Sequence, residues 1–208
     1  WLPLGPHLLA YVDGGGTLRI VNPDTGRTLG SSPASREAVE LDWSRDGSRL
    51  LEATPNSLRL HDVAVDKLAA RLSLGAARRI ALPSDATVRS AAFSPDGRTL
   101  AVLIQRPVRG RQPAHSGLYL MNRDGTSQRL LFTAPGLLSS LDWSPDGTRL
   151  LIAWPDADQW AFIPAEGLSR PRAIGGISGE FAPGEPGSAL FPLIDGWCCP
   201  RPVNPAAR

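Results

Sequence analysis

A chain of 208 residues with 42% apolar residues and a net charge of +2 can bury about 70% of its unfolded surface as one domain, so it needs neither a disulfide nor a metal to hold it. No apolar run reaches the ~18–20 residues of a membrane-spanning helix. The arginines are scattered rather than gathered into the basic stripe of a nucleic-acid binder, and Lys67 is the only lysine.

Trp1 stands first with no basic-then-apolar leader behind it, as expected of a mature product or an excised domain. Residues 7–31, HLLAYVDGGGTLRIVNPDTGRTLGS, predict three strands, HLLAYV, TLRIVN and RTLGS, with NPDTGR as the hairpin between the last two. Next comes LDWSRDGSRLL at 41–51, a phrase that returns as AAFSPDGRTLA at 91–101 and LDWSPDGTRLL at 141–151. Its aromatic, Trp43, Phe93 and then Trp143, recurs every 50 residues. Such a period marks a repeat architecture.

The phrase reads as strand, tight turn, strand. Pro95 and Pro145 pre-set the first corner, and Ser44, Ser94 and Ser144 can cap the turn. Asp46, Asp96 and Asp146 can accept backbone N–H groups, while Gly47, Gly97 and Gly147 supply the left-handed residue of a three-residue hairpin. The strand after each turn (RLLEAT, TLAVLIQ, RLLIAW) is continuously apolar, so both its faces are covered. Two more strands follow in each unit: SLRLHDV and KLAARLSL, then GLYLMN and QRLLFTA around the Arg123–Thr126 turn, then QWAFIPA and PRAIGGI.

Each unit is thus a four-stranded antiparallel meander, one blade of a β-propeller. The opening unit lacks a first strand. The closing SALFPLIDGWCCP at 188–200 supplies one candidate, with Trp197 54 residues beyond Trp143. The expected fold is all-β, a single four-bladed propeller: blade 1 from 7–31 plus 188–199, blade 2 from 38–75, blade 3 from 88–134 and blade 4 from 138–177. Sealing the first blade with the C-terminal strand removes exposed strand edges. The alternative is a fragment of a larger propeller.

At FSPDG (93–97) and WSPDG (143–147) the sequence resembles the TolB-like, WD-repeat-like family of bacterial β-propellers. The likeness covers the three internal units and, by a weaker pattern, the first. WPDADQWAF (154–162) and DGWCCP (195–200) are similar to segments of actinobacterial members. The resemblance implies a binding propeller at the cell envelope.

Motifs for chemistry are few. GGISGE (175–180) lacks the spacing of a serine nucleophile elbow and reads as an inter-blade loop. His7, His61 and His115 fall on different units without ligand spacing, so no metal or other cofactor is expected. His61 beside Asp62 reads as a turn-edge pair. Cys198 and Cys199 are adjacent, and in a strand point to opposite faces, one thiol buried and one outward, with a redox role as the alternative.

The loops VDGGG (12–16), TPNS (54–57), RPVRGRQPAHS (106–116) and WPDADQ (154–159) should gather at one end of the ring, opposite the Asp-Gly hairpins. That end would present Arg106, Arg109, Arg111, His115, Trp154, Asp156, Asp158 and Trp160, a mixture rich in the aromatic and arginine residues of interface hot spots. The function expected is non-enzymatic binding or scaffolding with another protein as partner. The alternatives are an accessory domain of a larger hydrolase or lyase, and a sensor of a small ligand or carbohydrate.

Overall fold

The computed structural model describes residues 7–66, 71–83, 85–108, 110, 114–167, 170–181, 191–194 and 196. The fold is a four-bladed β-propeller. Blade 1 holds β1 (Leu9–Val12), β2 (Thr17–Asn22) and β3 (Arg27–Pro33). Blade 2 holds β4 (Glu40–Trp43), β5 (Arg49–Thr54), β6 (Ser57–Asp66), β7 (Arg71–Leu74) and β8 (Arg78–Ile80). Blade 3 runs β9 (Thr87–Phe93), β10 (Thr99–Arg106), β11 (His115–Asn122) and β12 (Arg129–Pro135). Blade 4 runs β13 (Leu141–Trp143), β14 (Arg149–Trp154), β15 (Gln159–Pro164) and β16 (Arg172–Gly175). All pairings are antiparallel between chain neighbours, except that β6 pairs with both β7 and β8.

That exception has a local cause. β6 is ten residues long, and the chain leaves its edge at Gly75, whose amide bonds back to the Asp62 carbonyl at 2.8 Å. β7 covers the end of β6 from Val63 onward, and β8 returns to cover Leu58–Leu60. The outer strand of this blade is therefore made in two pieces.

The three repeated hairpins share one set of bonds. Ser44 Oγ donates to Asp46 Oδ1 at 2.7 Å and accepts the Arg49 amide at 2.9 Å, while Asp46 Oδ1 also takes the Ser48 amide at 3.0 Å. Ser94 with Asp96, and Ser144 with Asp146, repeat the pattern. Gly47, Gly97 and Gly147 have φ of 68°, 69° and 70°, which residues with a Cβ adopt only at a cost.

Packing follows from strands covered on both faces. Leu50 and Trp43 face a core shared with Leu18 and Ile20 of blade 1, while the next residue, Leu51, faces a core shared with Val102 of blade 3. Ala101 and Leu103 turn the other way, toward Trp143 and Ile152 of blade 4. Among the described residues there are three such inter-blade cores, built mainly from Leu, Ile, Val and Ala, with Trp43, Phe93, Met121 and Trp143 among them.

Around the axis the innermost strands are stapled by side chains. Glu40 Oε2 accepts the Ala91 amide at 2.7 Å and the Ser90 hydroxyl at 2.9 Å. Ser90 Oγ in turn accepts the Leu141 amide at 3.3 Å. Ser140 Oγ accepts the Ile194 amide at 2.9 Å. Ile194 thereby occupies, beside β13, the repeat position that Ala91 holds beside β4 and Leu141 beside β9. The tail comes to the ring where a first strand of blade 1 belongs. Trp197, Cys198 and Cys199 lie outside the described residues, and β1 has only β2 as a strand neighbour among them. GGISGE is mostly not loop: Gly175 ends β16, and Ile177 opens a one-turn helix, α1 (Ile177–Phe181), in which Ile177 is buried.

Candidate functional site

The meander puts the Asp-Gly hairpins and the turns between third and fourth strands at one end of the ring. The connectors between blades and the loops between second and third strands lie at the other. At the connector end the structure gathers most of the residues expected there, and it uses many of their polar atoms internally. Trp154 Nε1 donates to the Pro135 carbonyl at 3.1 Å, and its ring meets Phe132 edge-on at 6.4 Å and 77°. Asp156 Oδ2 accepts the Leu137 amide at 2.9 Å. Asp158, left-handed at φ 53°, accepts the Ser178 amide on Oδ1 at 2.7 Å. Trp160 lies in β15 against the ring of Phe181 at 5.4 Å. These four side chains fasten the connectors on either side of blade 4.

Arg106 and His115 are cross-strand partners at the ends of β10 and β11, and Arg106 Nη2 donates to the Tyr119 hydroxyl at 3.3 Å. Arg109 and Arg111 lie outside the described residues. Gly136 also belongs to this arrangement. Its φ is 75°, and a Cβ there would collide with the Asp156 carboxylate.

The hairpin end carries a cleft of about 490 Å³ between blades 3 and 4. Buried Trp143 and Met121 form its floor, and Pro95 and Pro145 its walls. Two arginines stand on its rim. Arg45 Nη1 donates to the Pro95 carbonyl at 3.1 Å, and Arg129 Nη2 to the Ala165 carbonyl at 2.7 Å. Asn122 Nδ2 reaches Thr126 Oγ1 at 2.9 Å and Ser127 Oγ at 3.2 Å, with Ser127 held left-handed at φ 53°. Glu166 completes the rim.

Ionisable groups with little solvent contact lie elsewhere. Loss of solvent around the half-buried Glu40 and Asp42 carboxyls, with a smaller contribution from the neighbouring Asp142 charge, outweighs the amide bonds that lower them and pushes Glu40 up to about 7 and Asp42 up to about 6. Between blades 1 and 2, Glu52 and His61 are both fully buried, with Glu52 Oε2 3.0 Å from His61 Nε2. Burial alone would raise the Glu52 carboxyl. The bonds from His61 and the Ser35 amide, with the Arg59 charge, outweigh it and hold the group below its ordinary value. His61 is therefore no turn-edge partner of Asp62. It sits in the middle of β6 facing blade 1, while Asp62 points to solvent on the other face and pairs with Arg49 at 3.3 Å.

Sequence reasoning misses the cleft because its rim comes from three blades. These acids did leave a signal: Glu52 interrupts the apolar run RLLEAT, and LDW occurs both at 41–43 and at 141–143.

No family model matches the chain, and no curated protein matches it. Among solved structures, the chain is similar to a protein assigned as TolB from Agrobacterium tumefaciens, at 22% identity and a TM-score of 0.50. The match covers 72% of this chain and 50% of that one, so this chain spans about half of its neighbour's length. That likeness supports a TolB-like propeller fold. Among the described residues no helix is long and apolar enough to cross a membrane.

Proposed function

We propose that this chain is a non-enzymatic binding propeller that holds another protein, and that the hairpin end of blades 3 and 4 is its recognition surface. The observation that carries the reading is the solvent-open cleft on a rim of rigid turns, with two guanidiniums each fixed by a single backbone carbonyl. Rigid loops on a stiff scaffold suit recognition because little freedom is lost on binding. The connector end, with Arg106, is the second candidate surface, and the resemblance to envelope propellers makes the cell envelope the proposed compartment.

Photo-crosslinking discriminates between the two ends. A benzophenone side chain placed at Ser127 reports on the cleft and one placed at Val108 reports on the connector end, each challenged with envelope and cytosolic fractions of the source organism. The reading expects a discrete protein adduct from Ser127. Adducts from Val108 alone would move the surface to the other end, and none from either position would contradict a protein-binding role.

A further inference from the structure

Three of the four blades end in an outer strand that is interrupted. β3 carries one extra residue against β2, Leu29, and β12 one against β11, Leu131, each at a shift in register. The outer strand of blade 2 is made in two pieces, β7 and β8. Bulges and breaks of this kind keep the open edge of a sheet from pairing with another chain. β16 has neither. It pairs with β15 in one unbroken register, from Gln159 opposite Gly175 to Phe162 opposite Arg172, and every residue of it is exposed.

The phase of the ladder shows which backbone groups this edge presents. The Gly176 amide donates to the Asp158 carbonyl at 3.0 Å, and the two residues stand opposite each other in the β15–β16 register. Hydrogen-bonded pairs alternate along an antiparallel ladder. Ile174 and Arg172 are therefore bonded inward, to Trp160 and Phe162, while the N–H and C=O groups of Ala173 and Gly175 point away from β15. Pro171 is the next residue of that outward set, and it has no N–H to offer.

Side chains add an apolar strip to the edge. Ile174 shares a face with its cross-strand partner Trp160, and the Phe181 ring packs on Trp160 at 5.4 Å. Ile174 is 53% exposed and Phe181 59%. The other face of β15 carries Ala161, buried in the core shared with blade 3. Charge on this segment is balanced: residues 164–181 hold Arg170 and Arg172 against Glu166 and Glu180, and none of the four is ion-paired among the described residues.

We propose that two copies of this chain associate edge to edge through β16, antiparallel, with Ile174 of each opposite Ile174 of the other. In this register Ala173 of one copy faces Gly175 of the other, and each such pair exchanges both of its N–H···O bonds. Centring the pairing on Ala173 instead would set Gly175 against Pro171 and lose a donor on each side. The two-fold axis stands normal to the sheet, so both apolar strips lie on one face and meet at Ile174. The antiparallel direction also carries Arg170 and Arg172 of each copy toward α1 of the other, which bears Glu180. A patch complementary to itself in backbone, apolar surface and charge is what an isologous interface requires. The paired residues, 172–176, do not line the cleft between blades 3 and 4, so the dimer and the recognition surface proposed above stand independently.

Two measurements test this on the full chain, with circular dichroism melts confirming that each variant folds. The first is sedimentation velocity between about 10 µM and about 500 µM, where a weak interface is populated. The wild-type chain should pass from monomer to dimer. Ala173→Pro removes an outward N–H and leaves the bonds to β15 in place, and Ile174→Asp puts a charge at the two-fold axis; each should raise the dimer Kd at least about tenfold. The second is disulfide trapping with Cys198 and Cys199 replaced by Ser. Opposed residues of a non-hydrogen-bonded pair lie about 4.5 Å apart between Cα atoms, within disulfide reach. Cysteines at 172 would lie about 14 Å apart. Ile174→Cys should therefore oxidise to a covalent dimer at least about tenfold faster than Arg172→Cys. A chain that stays monomeric over this range, a dimer indifferent to both edge substitutions, or equal trapping at 172 and 174 would each overturn the inference.

Discussion

Replacing Glu40 by Gln should make stability at neutral and alkaline pH higher than that of the wild-type chain and leave it unchanged in acid. The Glu40 carboxyl titrates at about 7 in the fold, against 4.5 when unperturbed. An acid whose folded value is raised binds its proton more tightly when folded, so its contribution to stability is complete below the unfolded value and drains away as pH rises through the folded one. A gap of this size corresponds to at most about 3 kcal/mol, lost between about pH 4.5 and pH 8. Gln keeps an oxygen for the Ala91 amide and the Ser90 hydroxyl, both now bonded to Glu40 Oε2 at 2.7 and 2.9 Å, and has no charge to desolvate. Urea unfolding followed by tryptophan fluorescence at about pH 4, below the unfolded value, and at about pH 8 reads the difference. E40Q and wild type should have coincident midpoints at the acid end and diverge by about 2–3 kcal/mol at the alkaline end. An offset that is the same at both pH values would refute the reasoning, because it would mean that Glu40 acts through packing and not through its proton.

Three other substitutions, with an exposed fourth as control, probe the scaffold. Gly136→Ala forces a Cβ onto the Asp156 carboxylate at positive φ and should cost about 2 kcal/mol, read from the same unfolding curves. Glu52→Leu strands the buried His61 ring and the Ser35 amide and should cost about 3–5 kcal/mol, whereas the exposed Glu37→Leu should lie within about 0.5 kcal/mol of wild type. Ser94→Ala removes the hydroxyl that joins Asp96 to the Thr99 amide and should lower stability by about 1 kcal/mol, visible as a shift in Tm of several degrees.

The parts of this fold legible in the sequence are those set by local chemistry. Ser-Arg/Pro-Asp-Gly can close only a few kinds of turn, so three copies in register announce three hairpins. The unbroken apolar run TLAVLIQ announces a strand with Val102 in one core and Ala101 and Leu103 in the next. What escapes the sequence depends on contacts between units. His61 and Asp62 are neighbours in the chain but face opposite ways on one strand, so adjacency suggested a pair that the pleat forbids. The aromatic and acidic residues of WPDADQW look like a recognition loop, yet Trp154 and Asp156 bind the Pro135–Leu137 connector, a partner 19 residues earlier. Arg45 lines a cleft between blades 3 and 4 only because blade 2 reaches blade 3, as the bond from Arg45 to the Pro95 carbonyl, 50 residues away, shows.

The account rests on the tail returning to the axis and completing the ring. The exchange rate of the Ile194 amide, followed by NMR in deuterated buffer, tests this most directly, since that N–H is bonded to Ser140 Oγ at 2.9 Å. Protection of the same order as Ala91 and Leu141, lost in Ser140→Ala, is the result expected. Exchange at the rate of an unstructured peptide while those two amides remain protected would contradict it.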